Sequence, residues 1–382
     1  MRDNWTETAI SDVAEVLSGF AFKSELFSEI DGIPLIRIRD LQKRKFTEVG
    51  YTGDYEERYL VNSGDFLIGM DGGFRCYEWL GPKALLNQRV CRIQSFDELE
   101  VIPRFVFFLV NQYLEKIEES TSFTTVKHIS VKQVKDIRFP LPPLAEQRRI
   151  VDVVSSVDAY IDALEQQVDA ARTAFTSLCM STFSSSEHTQ KLSEVAKVIM
   201  GQSPEGATCN SEGVGTPLLT GPTEFTNRIV GPPRQWTSKE TKISEDGDIL
   251  FCVRGATAGR INLGTYRAVI GRGLASIRCV LESDTNLVRY ALGVGMSQLL
   301  PAAGGTIFPN VSQSQLRDFK LWWPPEIERS RISNILTSIE DVIQATERAV
   351  VEAKNLRSGL LSDLLSGEHE IPVSYDELLG AA

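Results

Sequence analysis

The sequence contains an internal duplication, in which segments recur about 182 residues apart. The recurring pairs are residues 10–19 (ISDVAEVLSG) and 192–201 (LSEVAKVIMG), residues 64–67 (GDFL) and 247–250 (GDIL), residues 129–130 (IS) and 311–312 (VS), and the double prolines at 142–143 and 324–325. Self-similarity at one long period indicates a repeated structural unit. We therefore expect the 382-residue chain to fold as two similar modules, each followed by a double proline.

Each module shows the mixed patterning of an α/β domain. Short apolar runs at residues 35–38, 66–68 and 249–253 predict strands, and residues 104–118 predict a helix. The Asp-Gly-Gly sequence at residues 71–73 predicts a turn or loop. These patterns leave the order of the strands open.

The segments after the double prolines carry a heptad pattern, because their apolar residues alternate at spacings of four and three. We predict two long helices that pack antiparallel, the first over residues 145–181 and about 55 Å long. The alternative is a pair of core helices in an ordinary domain. The residues predicted to pack between the helices are Ile150, Val154, Val157, Ile161, Leu164, Val168, Ile332, Leu336, Ile339, Ile343 and Val350, with a later shift to Leu356, Leu360 and Leu364.

The net charge of −11 is unevenly distributed along the chain. The predicted helical segments are acidic, with −4 over residues 141–190 and −6 over residues 326–382. Residues 191–325 carry +3, and residues 1–140 carry −4. Modules this close to neutrality leave room for local basic patches, although composition alone does not show DNA binding.

Cysteine spacing and hydropathy argue against a zinc site and against a membrane-spanning segment. The six cysteines form no C-x-x-C pair and the chain has three histidines, so we expect buried free thiols rather than a zinc site. No apolar run approaches the length of a membrane span, and the first residues lack the apolar core of a signal peptide. We expect a soluble cytoplasmic protein.

The motifs of several common enzyme classes are absent from the sequence. There is no G-x-x-x-x-G-K-[ST] loop for phosphates, no G-x-S-x-G elbow and no H-E-x-x-H. The double prolines occur as Leu-Pro-Pro-Leu and Trp-Pro-Pro-Glu, whereas amino-methyltransferases carry Asn/Asp-Pro-Pro followed by an aromatic residue. We predict no catalytic residues and no metal site, while a nuclease built from dispersed carboxylates stays open.

The first proline junction, FPLPPLAEQRRI at residues 139–150, resembles the junction in specificity subunits of type I restriction–modification enzymes. The stretch HISVKQVKDI at residues 128–137 is also similar to that family, as are residues 304–306 (GGT) and 310–312 (NVS) of the second copy. The second junction, WPPEIER at residues 323–329, departs from the pattern by placing Arg329 where the first has Gln147. The resemblance covers nearly the whole chain and depends on the order and duplication of these segments.

The resemblance implies a fold class and its domain boundaries. We expect an α/β protein with two similar globular target recognition domains, separated by two long antiparallel coiled-coil helices with pseudo-two-fold symmetry. The implied domains are residues 1–142 and 185–324, the central conserved helix is residues 143–184, the C-terminal conserved helix is residues 325–367, and the tail is residues 368–382.

The resemblance also implies a function. Such a subunit is non-catalytic, binds a bipartite site on double-stranded DNA with a non-specific spacer, and has no cofactor of its own. Two methyltransferase subunits use S-adenosylmethionine to methylate a flipped adenine, and restriction subunits with ATP-driven translocation, which need Mg²⁺, join the complex. Half-site centres are expected about one helical turn apart, as in other two-fold readers. The alternative from another class is a duplicated coiled-coil scaffold whose modules bind proteins.

Candidate DNA-binding residues are those whose side chains match base edges, since Arg and Lys suit guanine and Asn and Gln suit adenine. The dense charge run at residues 43–45 suits phosphates better. The alternative for each residue is an ordinary solvated surface side chain. The candidates are Lys43, Arg44, Lys45, Arg75, Tyr77, Lys83, Gln88 and Arg89 in the first module, and Arg228, Arg234, Gln235, Trp236, Arg254, Arg260, Arg267 and Arg272 in the second.

Overall fold

The computed structural model describes residues 4–120, 127–183, 188–302 and 310–380, so the Gly304-Gly305-Thr306 segment singled out above lies outside the described residues. The chain divides into two compact units. Unit 1 consists of Met1–Ala163 with Val350–Ala382, and unit 2 consists of Leu164–Ala349. Each unit therefore contains one module and part of each long helical segment.

The strands are short, and each module has its own set. In the first module they are β1 (Thr6–Ala9), β2 (Glu15–Ser18), β3 (Phe27–Ser28), β4 (Ile33–Ile36), β5 (Gly50–Tyr51), β6 (Leu60–Val61), β7 (Phe66–Gly69), β8 (Cys76–Glu78), β9 (Ala84–Leu86), β10 (Val90–Gln94) and β11 (Arg138–Leu141). In the second module they are β12 (Thr189–Lys191), β13 (Ala196–Met200), β14 (Cys209–Asn210), β15 (Thr216–Leu219), β16 (Trp236–Thr237), β17 (Ile243–Ser244), β18 (Ile249–Cys252), β19 (Ile261–Leu263), β20 (Ala268–Ile270), β21 (Leu274–Cys279) and β22 (Lys320–Trp322).

The helices range from single turns to about 40 residues. They are α1 (Ile10–Val13), α2 (Ile38–Leu41), α3 (Pro103–Ser120), α4 (Val131–Lys135), α5 (Leu144–Phe183), α6 (Leu192–Val195), α7 (Thr285–Ala302), α8 (Gln313–Asp318), α9 (Glu326–Ser366) and α10 (Asp376–Gly380). Short 3-10 turns lie at Ser24–Leu26, Glu57–Tyr59, Gly206–Thr208, Pro222–Glu224, Glu282–Asp284 and Val373–Tyr375.

The two modules have the same sheet topology. A four-stranded antiparallel sheet has the order β2-β10-β7-β8 in unit 1 and β13-β21-β18-β19 in unit 2. A five-stranded sheet has the order β3-β5-β4-β9-β6 in unit 1 and β14-β16-β15-β20-β17 in unit 2, each with one parallel pair. Two further strand pairs, β1 with β11 and β12 with β22, bring the start of each module to its proline junction. The predicted duplication and mixed α/β class are confirmed.

Strand β7 of unit 1 and strand β18 of unit 2 are buried on both faces of their four-stranded sheets, and both strands are apolar. In unit 2, Ile249 and Phe251 of β18 pack in the cluster that contains residues of α7, whereas Leu250 packs in the cluster beside the five-stranded sheet. Unit 1 repeats this division with Phe66 and Leu67. Side chains alternate between faces along a strand, so a continuous apolar run supplies two cores.

The two long helices pair antiparallel in each unit. In unit 1 the first turns of α5 pack on the last turns of α9, since Ile150 and Val154 share a core cluster with Leu361 and Leu364. In unit 2 the last turns of α5 pack on the first turns of α9, where Cys179 lies in one cluster with Leu336.

The predicted interhelix residues are buried to different degrees. Leu356 differs from the prediction, because its side chain is 70% exposed. The side chain of the neighbouring Arg357 points toward α5 instead. It donates to Asp158 of α5 at 2.6 Å and lies over the Phe108 ring. Ile150, Val154, Ile161, Val168, Leu336 and Ile343 are buried, whereas Val157, Leu164, Ile332, Ile339 and Val350 are half-buried.

Two shorter segments also differ from the sequence patterns. The predicted strand at residues 35–38 ends at Ile36, because the Arg37 amide is capped by the Asp40 carboxylate at 3.0 Å and α2 begins at Ile38. The basic run at residues 43–45 therefore follows a helical turn rather than a strand. The predicted helix at residues 104–118 is confirmed within α3.

The proline junctions are buried structural joins with different chemistry. In unit 1 the Gln147 amide, fully buried, donates to the carbonyl of Pro142 at 2.8 Å and accepts from the Ile102 amide at 2.8 Å. In unit 2 Arg329 donates to the carbonyl of Pro324 at 3.0 Å and to Asp284 at 3.0 Å. Arg329 therefore pairs with Asp284, which occupies the position in unit 2 that Ile102 occupies in unit 1.

The six cysteines are free, and four of them are buried. Burial raises the pKa of the Cys91 thiol to about 12 and that of the Cys252 thiol to about 11. Within the described ranges, no group of three or more His, Cys, Asp or Glu side chains could hold a metal ion. None of the helices in the same ranges is long and apolar enough to cross a lipid bilayer.

Candidate nucleic-acid interface

Matched loops in the two units bring several of the candidate residues together. The hairpin loop after β7 covers residues 70–75, and the loop after β18 covers residues 253–260. Two neighbouring segments of the chain border each loop. We call these regions the sheet rim, which consists of residues 70–75, 87–89 and 127–128 in unit 1, and of residues 253–260, 271–273 and 310 in unit 2.

Several backbone hydrogen bonds of the rim match between the two units, although the loop after β18 is two residues longer than the loop after β7. The Ile129 amide donates to the Met70 carbonyl at 2.9 Å, and the Val311 amide donates to the Val253 carbonyl at 2.7 Å. The next residues form isolated bridges, Asp71 with His128 and Arg254 with Asn310. The cross-strand amides also match, because Met70 donates to the Arg89 carbonyl and Val253 to the Gly273 carbonyl, both at 2.9 Å. The side chains at these positions can therefore be compared one for one.

In unit 2 the rim presents three exposed arginines. Arg254, Arg260 and Arg272 are exposed, and none of them forms an ion pair within the part of the chain that the structure describes. Gly255 and Gly259, with φ of +80° and +88°, allow the tight loop that carries Arg254 and Arg260. Free guanidinium groups on a loop can bond phosphate oxygens or the edge of guanine.

In unit 1 the rim is charge-compensated. Asp71 lies 2.6 Å from His128 Nδ1 and 3.6 Å from Arg89 Nη1. Arg75, which matches Arg260 in strand register, is held by Glu115 and Glu118 of α3, each at 3.2 Å. Gln88 is exposed beside Arg89, whose backbone has a φ of +71°. The unit 1 rim therefore offers acceptors as well as donors.

The remaining candidates of unit 1 lie away from the rim. Lys43 pairs with Glu48, and Arg44 donates to the Glu78 carbonyl at 3.2 Å. Lys45 and Lys83 are exposed. Their loops adjoin, because the Leu80 amide donates to the Arg44 carbonyl at 2.7 Å. Tyr77 is half-buried and packs against the core formed with the five-stranded sheet.

Of the remaining candidates of unit 2, some form ion pairs with acidic side chains and others are exposed or half-buried. Arg228 pairs with Glu340 at 3.3 Å and with Asp341, so its guanidinium joins a loop to α9. A hydrogen bond from Arg267, together with one from Thr216, lowers the pKa of the Glu240 carboxyl to about 2. Arg234 and Gln235 are exposed, and Trp236 is half-buried in β16.

Three rim residues were missed by the sequence reasoning, namely Asp71, His128 and Asn310. His128 and Asn310 precede the repeated Ile-Ser and Val-Ser pairs, and Asp71 matches Arg254 behind the repeated Gly-Asp-x-Leu strands. Positions that differ between otherwise matched copies were the available signal, since Asp71 and Arg254 occupy the same place in the repeat.

Comparisons with known proteins agree with this architecture. The family model described as "Type I restriction modification DNA specificity domain" matches residues 2–171 and again residues 186–353. A putative type I restriction enzyme MjaX specificity subunit of Methanocaldococcus jannaschii is 27% identical, over 96% of this chain and 94% of that protein. The EcoBI specificity subunit of Escherichia coli is 40% identical over 170 residues, which are 44% of this chain and 35% of that protein.

Solved structures show the same fold. A chain from a structure of a type I R-M system has a TM-score of 0.61 at 23% identity, covering 96% of this chain and 98% of that chain. The S subunit of a type I restriction–modification system from M. genitalium has a TM-score of 0.60 at 15% identity, covering 96% and 97%.

Proposed function

The chain belongs to the type I restriction modification DNA specificity family, and on this premise we propose that it reads a bipartite DNA site, one half-site with each unit. It is a non-catalytic recognition subunit that directs a restriction–modification complex to DNA. The observation that carries the proposal is the matched sheet rim, where one backbone frame presents different polar side chains in the two units. We expect it to act in the cytoplasm, where its DNA substrate is.

We propose that two methyltransferase subunits and the restriction subunits dock on the long helices. The supporting observation is a second apolar stripe on α9 that faces solvent. Ile335, Val342 and Leu356 lie at multiples of seven residues and are 47%, 61% and 70% exposed. Ser338 and Ala345 lie between them at the alternate heptad positions. A stripe with this spacing and these small residues suits packing by a partner helix.

The chemistry of the complex is proposed to reside on those partners. S-adenosylmethionine would serve the methyltransferase subunits, and ATP with Mg²⁺ would serve the translocating restriction subunits. Methylation of an adenine requires that the base leave the stack. The contribution of this chain is to hold the duplex in register, since phosphate contacts position a protein and base contacts specify the sequence.

The salt dependence of duplex binding tests the proposal. With its methyltransferase partners, the chain should bind DNA that contains its site, and the logarithm of the binding constant should fall linearly with the logarithm of salt concentration, by about 0.9 per phosphate contact. A protein-binding scaffold would show no duplex binding at any salt concentration. Incubation of the purified chain alone with Mg²⁺, or with S-adenosylmethionine, should leave DNA uncut and unmethylated; activity in either assay would establish the enzyme alternative.

A further inference from the structure

One matched position of the sheet rim carries opposite chemistry in the two units. Asp71 of unit 1 and Arg254 of unit 2 follow the central strand of the four-stranded sheet, and their bridge partners are His128 and Asn310. The backbone bonds around both pairs are the same. An acid faces a histidine in one unit, whereas an arginine faces an amide in the other.

In unit 1 the acid is part of a compact polar cluster. The Asp71 side chain is 25% exposed, and it contacts His128 at 2.6 Å and Arg89 at 3.6 Å. A lone carboxylate at a DNA surface would be repelled by phosphates, but the adjacent Arg89 guanidinium reduces that repulsion. Asp71 can therefore approach DNA while keeping an oxygen that accepts a hydrogen bond.

In unit 2 both side chains of the pair are exposed and can donate. Arg254 has donors only, and Asn310 has a donor and an acceptor. Arg bonds O6 and N7 of guanine, and Asn bonds N6 and N7 of adenine. Each of these contacts selects a purine in the major groove.

We propose that this matched pair is a specificity-determining position of both units. Arg254 and Asn310 read a purine in the half-site of unit 2, and Asp71 reads a base that presents an amino group, cytosine N4 or adenine N6, in the half-site of unit 1. The inference rests on the proposed function, because it assigns base contacts within the interface proposed above.

Methylome sequencing of a host that expresses the complete complex tests the assignment. The variants are Arg254→Gln and Asp71→Asn, and the matched controls are Arg317→Gln and Asp54→Asn, which remove the same charges from exposed residues outside the rim. Arg254→Gln should lower discrimination at one base pair of one half-site by about 5- to 150-fold, the range for a bidentate contact. Asp71→Asn should relax one position of the other half-site, and the controls should keep the wild-type site.

Binding measurements with the purified complex separate the possible failures. If Arg254→Gln weakens binding to all sequences equally, the residue contacts phosphate and the specificity assignment is wrong, while DNA recognition stands. If both half-sites relax together, or neither changes, the assignment is also wrong. If the wild-type complex itself does not bind duplex DNA, the proposed function fails before the position is tested.

Discussion

At the scale of residues, the repeated Gly-Asp motif has a structural explanation. Gly64 and Gly247 have φ of +97° and +82°, the left-handed conformation that favours glycine. Asp248, which is buried, bonds Arg278 and Ser276 at 2.8 and 2.6 Å, and Asp65 bonds Arg92 at 2.9 Å. The motif thus begins the central strand of each sheet and anchors it to its neighbours.

The buried ion pair at the second proline junction should contribute to the stability of unit 2. Arg329→Gln would leave the buried Asp284 carboxylate without its partner, so we expect a loss of about 3–5 kcal/mol in the free energy of unfolding. The double variant Asp284→Ile with Arg329→Gln copies the pairing of Ile102 and Gln147 and should recover most of that loss. Chemical denaturation of all three proteins measures both effects, and a double variant as unstable as the single one would contradict the explanation.

At the scale of elements, α9 has a buried stripe and an exposed stripe, although both are apolar. Leu336 is 1% exposed, whereas Leu356 is 70% exposed on the same helix. The heptad pattern alone assigned both residues to the interhelix seam. Arg357 displaces the seam because its bonds to Asp158 bring residue 357 inward and leave Leu356 facing solvent.

This difference predicts unequal effects of the same substitution. Leu336→Ala removes a buried side chain and should cost about 2–5 kcal/mol of stability. Leu356→Ala is the matched control and should change the stability of the isolated chain by about 0.5 kcal/mol or less. Unfolding midpoints in denaturant compare the two variants. A large loss for Leu356→Ala would mean that the described seam is incorrect.

Leu356→Ala also tests the proposed partner surface. If the exposed stripe packs against a partner helix, the variant should weaken assembly with the methyltransferase subunits while the chain stays folded. Analytical ultracentrifugation of the mixed subunits measures the change, and Val351→Ala, at an apolar residue that is 58% exposed but lies off this stripe, is the control. Assembly as tight as that of the wild type would argue against docking on this stripe.

At the scale of the whole molecule, α5 and α9 each contribute residues to both units. Inserting seven residues after Ala163 and after Ala349 adds about 10 Å to each helix and keeps the heptad phase. If the helices set the distance between half-sites, the preferred spacer should lengthen by about three base pairs, given 3.4 Å per base. Methylome sequencing of a host with the lengthened protein would report the new spacer. An unchanged spacer would show that the helices do not act as a ruler.

The duplication, the α/β class and both long helices were predictable from the order of residues alone. The strands and helices follow from patterns in consecutive residues, such as the apolar run of β18 and the heptads of α5. The duplication follows from the recurrence of short segments at one long offset. Arg254 and Arg260 follow the repeated Gly-Asp-Ile-Leu segment in the sequence, and the structure has both residues in the sheet rim.

Which arginines pair with acids depends on contacts between residues that are far apart in the sequence. Arg228 meets Asp341 although 113 residues separate them, and Arg75 meets Glu118 across 43 residues. In the same way, Asp71 and His128 become neighbours across 57 residues because two loops converge at one strand end. Contacts of this kind depend on the three-dimensional path of the backbone, and no local pattern in the chain encodes them.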